Sequence, residues 1–173
     1  MPATRPKTLR YTAGTPLAGA LALALLAGSC AGPTVGGVTP VAVDTRAAAA
    51  ATSAFRTGRG LGPVTADPTL NRLAAQQALA MAKRGRLGHD LIGPLNKRLK
   101  NGGYVWLVAV ENVSAGYDSY DAALAAWQTS SGHLSNLTDP GVTEIGVGAA
   151  RADDRFGTYW ALILAAPDPE GGR

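Results

Sequence analysis

The chain has almost no cysteine: Cys30 is the only one among its 173 residues. One cysteine excludes any disulfide within the chain, and with it the small secreted domains that depend on disulfides for stability. The fold must therefore be held by an apolar core. The stretch of residues 44–166 is long enough for this, because a domain of that size buries roughly two-thirds of its unfolded surface.

The chain also lacks an apolar run long enough to cross a membrane. Its run LAGALALALLAG, residues 17–28, falls short of the roughly 20 residues that a spanning helix needs. Three basic residues precede this run, and it ends in LAGSC, which closes with Cys30. This order resembles a bacterial lipoprotein signal, in which the cysteine is acylated and becomes the first residue of the mature protein. Ordinary signal-peptidase cleavage, with Cys30 uninvolved, is the alternative.

An excess of charge of one sign is missing as well. The full chain has a net charge of +4, but three of its 16 basic residues and none of its 12 acidic residues lie in the predicted signal. The near balance that remains gives no electrostatic basis for binding nucleic acid, and we predict none. Two local basic clusters stand out, at residues 83–86 and 97–100. Solvated helix ends explain them at least as well as an anionic partner does.

The sequence predicts one folded domain between two poorly structured ends. The segment after Cys30 is rich in Gly, Pro and Thr without any periodicity, and the chain closes with PDPEGGR. We therefore assign residues 1–29 to a lipoprotein signal peptide, 30–43 to a flexible tether, 44–166 to the folded domain and 167–173 to a disordered tail. We expect an exported monomer, held at the membrane by acylated Cys30 in the bacterial cell envelope and facing the periplasm or the cell surface.

Capping residues and apolar periodicity predict the helices. Asp44 precedes an alanine-rich helix that ends in glycines from Gly58 onward. Asp67, with a proline at the first helical position, starts a second helix that we expect to end at Gly88. Asp118 or Ser119 caps a later helix. The apolar faces assigned to these helices and to a short one between them are Leu70, Leu73, Ala74, Ala78 and Met81; Leu91, Leu95 and Leu99; and Tyr120, Leu124 and Trp127.

β-branched and aromatic runs predict three strands. YVWLVAVEN is expected to form a buried strand from Tyr104 to Val110 that delivers Glu111 at its end. Residues 143–150 and 158–165 form a terminal hairpin. Helices before and after one strand, followed by a hairpin, indicate an α+β fold with a small, mostly antiparallel sheet flanked by helices.

Four ordered signatures resemble a known family. They are GLGPVTADPTLNRLAAQQALAMA followed by GHD, then EN, then W-x-x-S-x-G-H-x-x-N, and finally TEIGVGAA with YWALIL. Together they are similar to a bacterial CAP domain, also called SCP, of the superfamily of cysteine-rich secretory proteins, antigen 5 and plant pathogenesis-related proteins. The resemblance covers residues 44–166 and implies an α–β–α sandwich.

The resemblance also implies a site. In the fuller family pattern two histidines and two glutamates converge in a surface cleft, and the histidines can bind a divalent metal. His89, Glu111 and His133 lie at three of these positions, and Ser130 stands at the fourth. The loss of one carboxylate implies a weaker metal site, with His89 and His133 as the ligands of a possible Zn²⁺ ion. No other cofactor is expected.

The residues themselves leave structural alternatives open. Two neutral imidazoles and a carboxylate would hold zinc in an open tetrahedron. However, His89 is equally explained as a hydrogen-bonded loop residue, and His133 as a residue that satisfies carbonyls at a helix end. Glu111 is alternatively a cap for the loop that follows it.

Two classes of function remain. The first is a non-catalytic module that binds an apolar or amphipathic ligand, or another envelope component, through the cleft. The second is a metal-assisted, protease-like hydrolase with Glu111 as general base and His89 and His133 on the metal. Ser130 precedes His133 by three positions, but no G-x-S-x-G turn supports a serine nucleophile. We favour the binding module, because no oxyanion donor is evident.

Overall fold

A computed structural model describes residues 37–171 of the chain. The predicted signal peptide and Cys30 lie outside the described residues. The helices are α1 (Thr45–Thr57), α2 (Pro68–Arg84), α3 (Leu95–Gly102), α4 (Tyr120–Gln128) and α5 (Ser131–Leu137). The strands are β1 (Val38–Val41), β2 (Thr65–Ala66), β3 (Trp106–Ala115), β4 (Glu144–Ala152) and β5 (Thr158–Pro167). None of the helices in this part of the chain is long and apolar enough to cross a membrane.

The predicted helix starts are confirmed by their caps. The Asp44 carboxylate accepts hydrogen bonds from the first backbone N–H groups of α1, and Asp67 accepts one from Leu70 at the start of α2. Of the two candidates for the cap of α4, Ser119 is the one that accepts, from the N–H of Ala122. Each side chain satisfies a donor that the helix itself leaves free.

Two predicted boundaries are wrong. Helix α2 ends at Arg84 rather than Gly88, because Gly85 takes a left-handed conformation (φ +59°) and the N–H of Arg86 closes back on Met81. Strand β3 continues to Ala115, so Glu111 lies inside the strand rather than at its end.

The strands form one sheet in the order β1-β4-β5-β3, with β2 beside β4. All pairings are antiparallel except that of β2 with β4. Residues 38–41, assigned to the tether, form strand β1 instead, because their backbone pairs with residues 149–152. Four residues are too few for periodicity to reveal a strand, and the edge of a sheet tolerates their proline. The folded unit therefore starts at Val38 and its last strand ends at Pro167.

Apolar cores on both faces of the sheet make the fold an α–β–α sandwich, as the resemblance implied. Successive residues of β5 point to opposite faces: Ile163 joins the core under α2 and α3, whereas Leu162 and Leu164 join the core under α1, α4 and α5. The predicted apolar face of α2 is fully confirmed, since all five of its residues are at most 3% exposed. Trp127, at 1% exposed, lies in the other core.

Candidate functional site

The site lies at β3, which is the outermost strand of the sheet on its side. Glu111 projects toward the same core as Val113, while Asn112, one position on, projects to the other face. Helix α3 and the 85–94 loop cover the first face, and α5 covers the second. The predicted site residues thus lie on both sides of a single strand.

A buried guanidinium binds Glu111. Arg98 of α3 donates from Nη2 to Glu111 Oε2 at 2.5 Å, and the two side chains are only 4% and 3% exposed. The same Nη2 reaches the carbonyl of His89 at 3.3 Å, and Nε donates to the carbonyl of Gly93 at 3.1 Å. Arg98 therefore neutralises the carboxylate and fixes the loop that carries His89.

His89 contacts the other oxygen of the same carboxylate. Its Nδ1 lies 3.0 Å from Glu111 Oε1, while its side chain is 59% exposed. The hydrogen bond that the His89 ring donates to the Glu111 carboxylate raises the pKa of His89, and burial partly offsets this rise. Gln77, which is buried on α2, supports the loop by donating from Nε2 to the carbonyl of Gly88. Two of the predicted site residues, His89 and Glu111, are therefore in direct contact.

His133 approaches from the other face and belongs to the first turn of α5. The alternative that His133 satisfies carbonyls at a helix end does not fit this position, because a second helix starts at Ser131, directly after α4. Ser130 occupies the N-cap position of α5, where its carbonyl accepts from the N–H of Leu134 at 2.7 Å and its hydroxyl makes no capping bond. Burial, and then repulsion from the nearby charge of His89, lowers the pKa of His133.

Two asparagines connect α5 to β3. Asn136 donates from Nδ2 to the backbone carbonyl of Glu111 at 3.1 Å and to Asn112 Oδ1 at 2.8 Å. Asn112 in turn donates to the carbonyl of His133 at 3.1 Å. Three of the four predicted cleft residues are thus linked through β3, with His89 and Glu111 in direct contact on one side and the carbonyl of His133 bound by Asn112 on the other. Ser130 lies nearby at the start of α5.

The residues present do not fit a zinc ion with three protein ligands. Among residues 37–171, no three His, Cys, Asp or Glu side chains are grouped so as to hold a metal ion. Both oxygens of Glu111 are engaged, one by a permanent cation, and Nδ1 of His89 is taken by the same carboxylate. Only two imidazoles remain, fewer than the three protein ligands of a catalytic zinc site.

Sequence reasoning missed Arg98, Asn112 and Asn136. Arg98 was placed in a solvated basic cluster, although it follows Leu95 by three positions and so shares its helical face. That spacing was the available signal for its burial. Asn112 and Asn136 were visible in the motifs, but nothing in the sequence indicates that they bond to each other.

Comparison with known proteins places the chain among relatives of this fold. The uncharacterized protein YkwD of Bacillus subtilis is 30% identical over 111 residues, which are 63% of this chain and 42% of that protein. An extracellular protein containing an SCP domain from Bacillus anthracis has a TM-score of 0.63 and 25% identity over 70% of this chain and 40% of its own. The chain spans less than half the length of either relative.

An outer surface protein from Borrelia burgdorferi shares the fold, with a TM-score of 0.65 and 17% identity over 75% of this chain and 100% of its own. The model of the cysteine-rich secretory protein family, CAP, matches residues 49–164. This match confirms the resemblance found in the motifs. The chain belongs to the CAP family.

Proposed function

We propose that the protein is a non-catalytic CAP module of the bacterial cell envelope, which binds an apolar or amphipathic ligand or another envelope component at the His89–Glu111–His133 cleft. The observation that carries this proposal is the state of Glu111. A general base must be free to accept a proton from substrate or water. Here the carboxylate is buried, paired with Arg98 and hydrogen-bonded to His89.

The alternative is a metal-assisted hydrolase, and the same contacts argue against it. Arg98 supplies a fixed positive charge beside Glu111, where a second cation would be repelled. The remaining exposed groups, the His89 ring and the half-buried His133, suit the recognition of a polar group at the mouth of the cleft.

Calorimetry combined with ligand analysis tests this function. Ligand mass spectrometry on the untagged protein is expected to find a co-purified apolar or amphipathic molecule, and zinc titration at about pH 7.5, where neutral imidazole dominates, is expected to give no binding. Zinc binding that is lost in His89→Ala and in His133→Ala would instead support the hydrolase. In that case Glu111→Gln should weaken binding less than either histidine variant.

We propose further that acylated Cys30 anchors the module to a membrane. Two relatives are described as extracellular or outer surface proteins, which supports an exported location. Acyl chains contribute roughly 0.8 kcal/mol for each buried methylene, so two or more chains hold a protein on a bilayer stably. Wild type should fractionate with membranes, while Cys30→Ala should stay unprocessed or be released. Wild type found cleaved and freely soluble would overturn the anchor.

A further inference from the structure

The end of α2 carries a surface that the proposed cleft does not use. Lys83, Arg84 and Arg86 are exposed around the last turn of the helix. Leu87 and Ile92, in the loop that follows, are each 42% exposed and are two of the four large apolar side chains exposed among residues 37–171. We name these five residues the basic apolar end. Cations interspersed with exposed aliphatic side chains are typical of surfaces that lie on a lipid headgroup layer.

A groove lies in this surface, beside the last turns of α2. It encloses about 310 Å³ and is lined by Gln76, Leu79, Ala80, Lys83, Arg84 and Ile92. Its walls are aliphatic, and two cations stand at its rim. A neighbouring polar pocket of about 340 Å³ shares Gln76 and Ile92 and is also lined by Arg72. An anionic headgroup with the first methylene groups of its chain matches this combination of charge and apolar wall.

The N-terminal segment joins the fold at the same end of the molecule. The carbonyl of Gly37 accepts a hydrogen bond from the N–H of Asp153 in the β4–β5 turn, at 3.1 Å. At the end of α2, a methyl group added to Gly85 would lie 3.6 Å from Asp154 Oδ2 in the same turn. The turn therefore contacts both the start of the described chain and the start of the basic apolar end.

We propose that the basic apolar end docks on an anionic phospholipid bilayer. Its orientation rests on the anchor proposed above: six residues separate Cys30 from Gly37, and the seven Cα–Cα steps between them span at most about 25 Å. An acylated Cys30 would thus keep this end of the domain close to the bilayer. Of the possible occupants, an anionic bilayer is favoured because both charge and chain connection point to it.

The acidic residues nearby reduce this charge without reversing it. Asp90, Asp153 and Asp154 are exposed close to the basic apolar end. The carboxylate of Asp154 accepts hydrogen bonds from the Tyr159 hydroxyl and from two backbone N–H groups of its own turn, which Arg155 also flanks. With Arg155 counted, four cations face three carboxylates, and α3 adds two further exposed lysines, Lys97 and Lys100.

Vesicle sedimentation tests the docking surface separately from the anchor. The protein is the chain from Ala31 onward, which retains both cores and all five strands but has no cysteine to acylate. It should bind vesicles of phosphatidylcholine and phosphatidylglycerol at least about tenfold more strongly than vesicles of phosphatidylcholine alone. Raising the salt concentration should weaken this binding, because it screens the charges.

Two charge-matched variants locate the surface. Lys83→Glu with Arg84→Glu should lose the preference for phosphatidylglycerol. Arg46→Glu with Arg59→Glu, in α1 and in the turn that follows it across the sheet, should keep this preference. Leu87→Ser with Ile92→Ser should weaken the part of the binding that survives high salt. Circular dichroism checks that each variant folds.

Three results would overturn the docking surface. They are equal binding to both vesicle types, equal loss in both charge variants, and full competition by free glycerol phosphate, which would indicate an isolated phosphate pocket. Failure of the anchor, in contrast, would appear only in the fractionation of wild type and Cys30→Ala.

Discussion

The Glu111 carboxylate lies inside the protein, directly beside the exposed ring of His89. It is paired with a guanidinium that is buried to the same degree. Removing one partner of such a pair leaves an uncompensated buried charge, at a cost of about 3–5 kcal/mol. Arg98 and Glu111 are therefore needed for stability. The ring of His89 is the exposed member of the cluster.

The pKa values of His89 and His133 should lie on opposite sides of the pKa of an ordinary imidazole. The bond to Glu111 raises the pKa of His89, whereas burial lowers the pKa of His133. In an NMR titration, the His89 ring should therefore change charge above pH ~6.5 and the His133 ring below it. Glu111→Gln should return His89 toward its ordinary pKa. Identical titration curves for the two rings would contradict the described contacts.

These shifts also affect stability with opposite signs. Protonated His89 stabilises the folded state fully below its ordinary pKa of about 6.5, and this contribution is lost as the pH rises through its raised pKa. Neutral His133 stabilises the folded state above that ordinary pKa, and its contribution is lost as the pH falls through its lowered pKa. Because the His89 ring is exposed, solvent screens its interaction with Glu111 and reduces its contribution to stability.

Arg56 shows why some residues escape prediction from the sequence. It stands in an alanine-rich helix and reads as a surface residue, yet it is fully buried. Its guanidinium donates to four backbone carbonyls, those of Gly62, Leu137, Asp139 and Val142. Three of these partners lie more than 80 positions away, so no local pattern reveals them. Arg98 differs, because its helical spacing from Leu95 does signal burial, although its partner Glu111 lies on another element.

At the scale of the element, local signals were reliable and remote ones were not. The caps Asp44 and Asp67 were predictable because each acts on the three residues that follow it. The strand at residues 38–41 was not predictable, since its partner lies more than 100 positions away. The end of α2 was misplaced because two glycines, Gly85 and Gly88, compete as its stop, and only the left-handed backbone decides between them.

The contact between α2 and β4 depends on two glycines. A Cβ on Gly148 would overlap the backbone of Ala75, and one on Gly146 would overlap that of Leu70. Gly148→Ala should therefore destabilise the protein by about 1–3 kcal/mol or more, because backbone cannot move aside as a side chain can. Gly132→Ala is the matched control: its Cβ would meet nothing within 4 Å, and alanine favours the helix. Urea unfolding should show a loss for the first variant and none for the second.

At the scale of the whole fold, residues 37–171 form one sheet with a core on each face. Strand β5 contributes to both cores, so neither face can lose its packing without disturbing the strand that the other needs. The α+β class and the sandwich were predictable because they follow from the order of elements and the family motifs. The arrangement of the site residues on both sides of β3 was not predictable, because it depends on α5 folding back over that strand.

Leu73 and Trp127 test this shared sheet, one from each core. Leu73→Ala should cost about 2–5 kcal/mol and Trp127→Ala about 3–5 kcal/mol, because each leaves a cavity under a helix. The two side chains belong to different cores, so the costs should add in the double variant within about 0.5 kcal/mol. Urea unfolding followed by both fluorescence and far-UV circular dichroism should give one coincident transition in each single variant. Separate transitions would mean that the two faces of the sheet unfold independently.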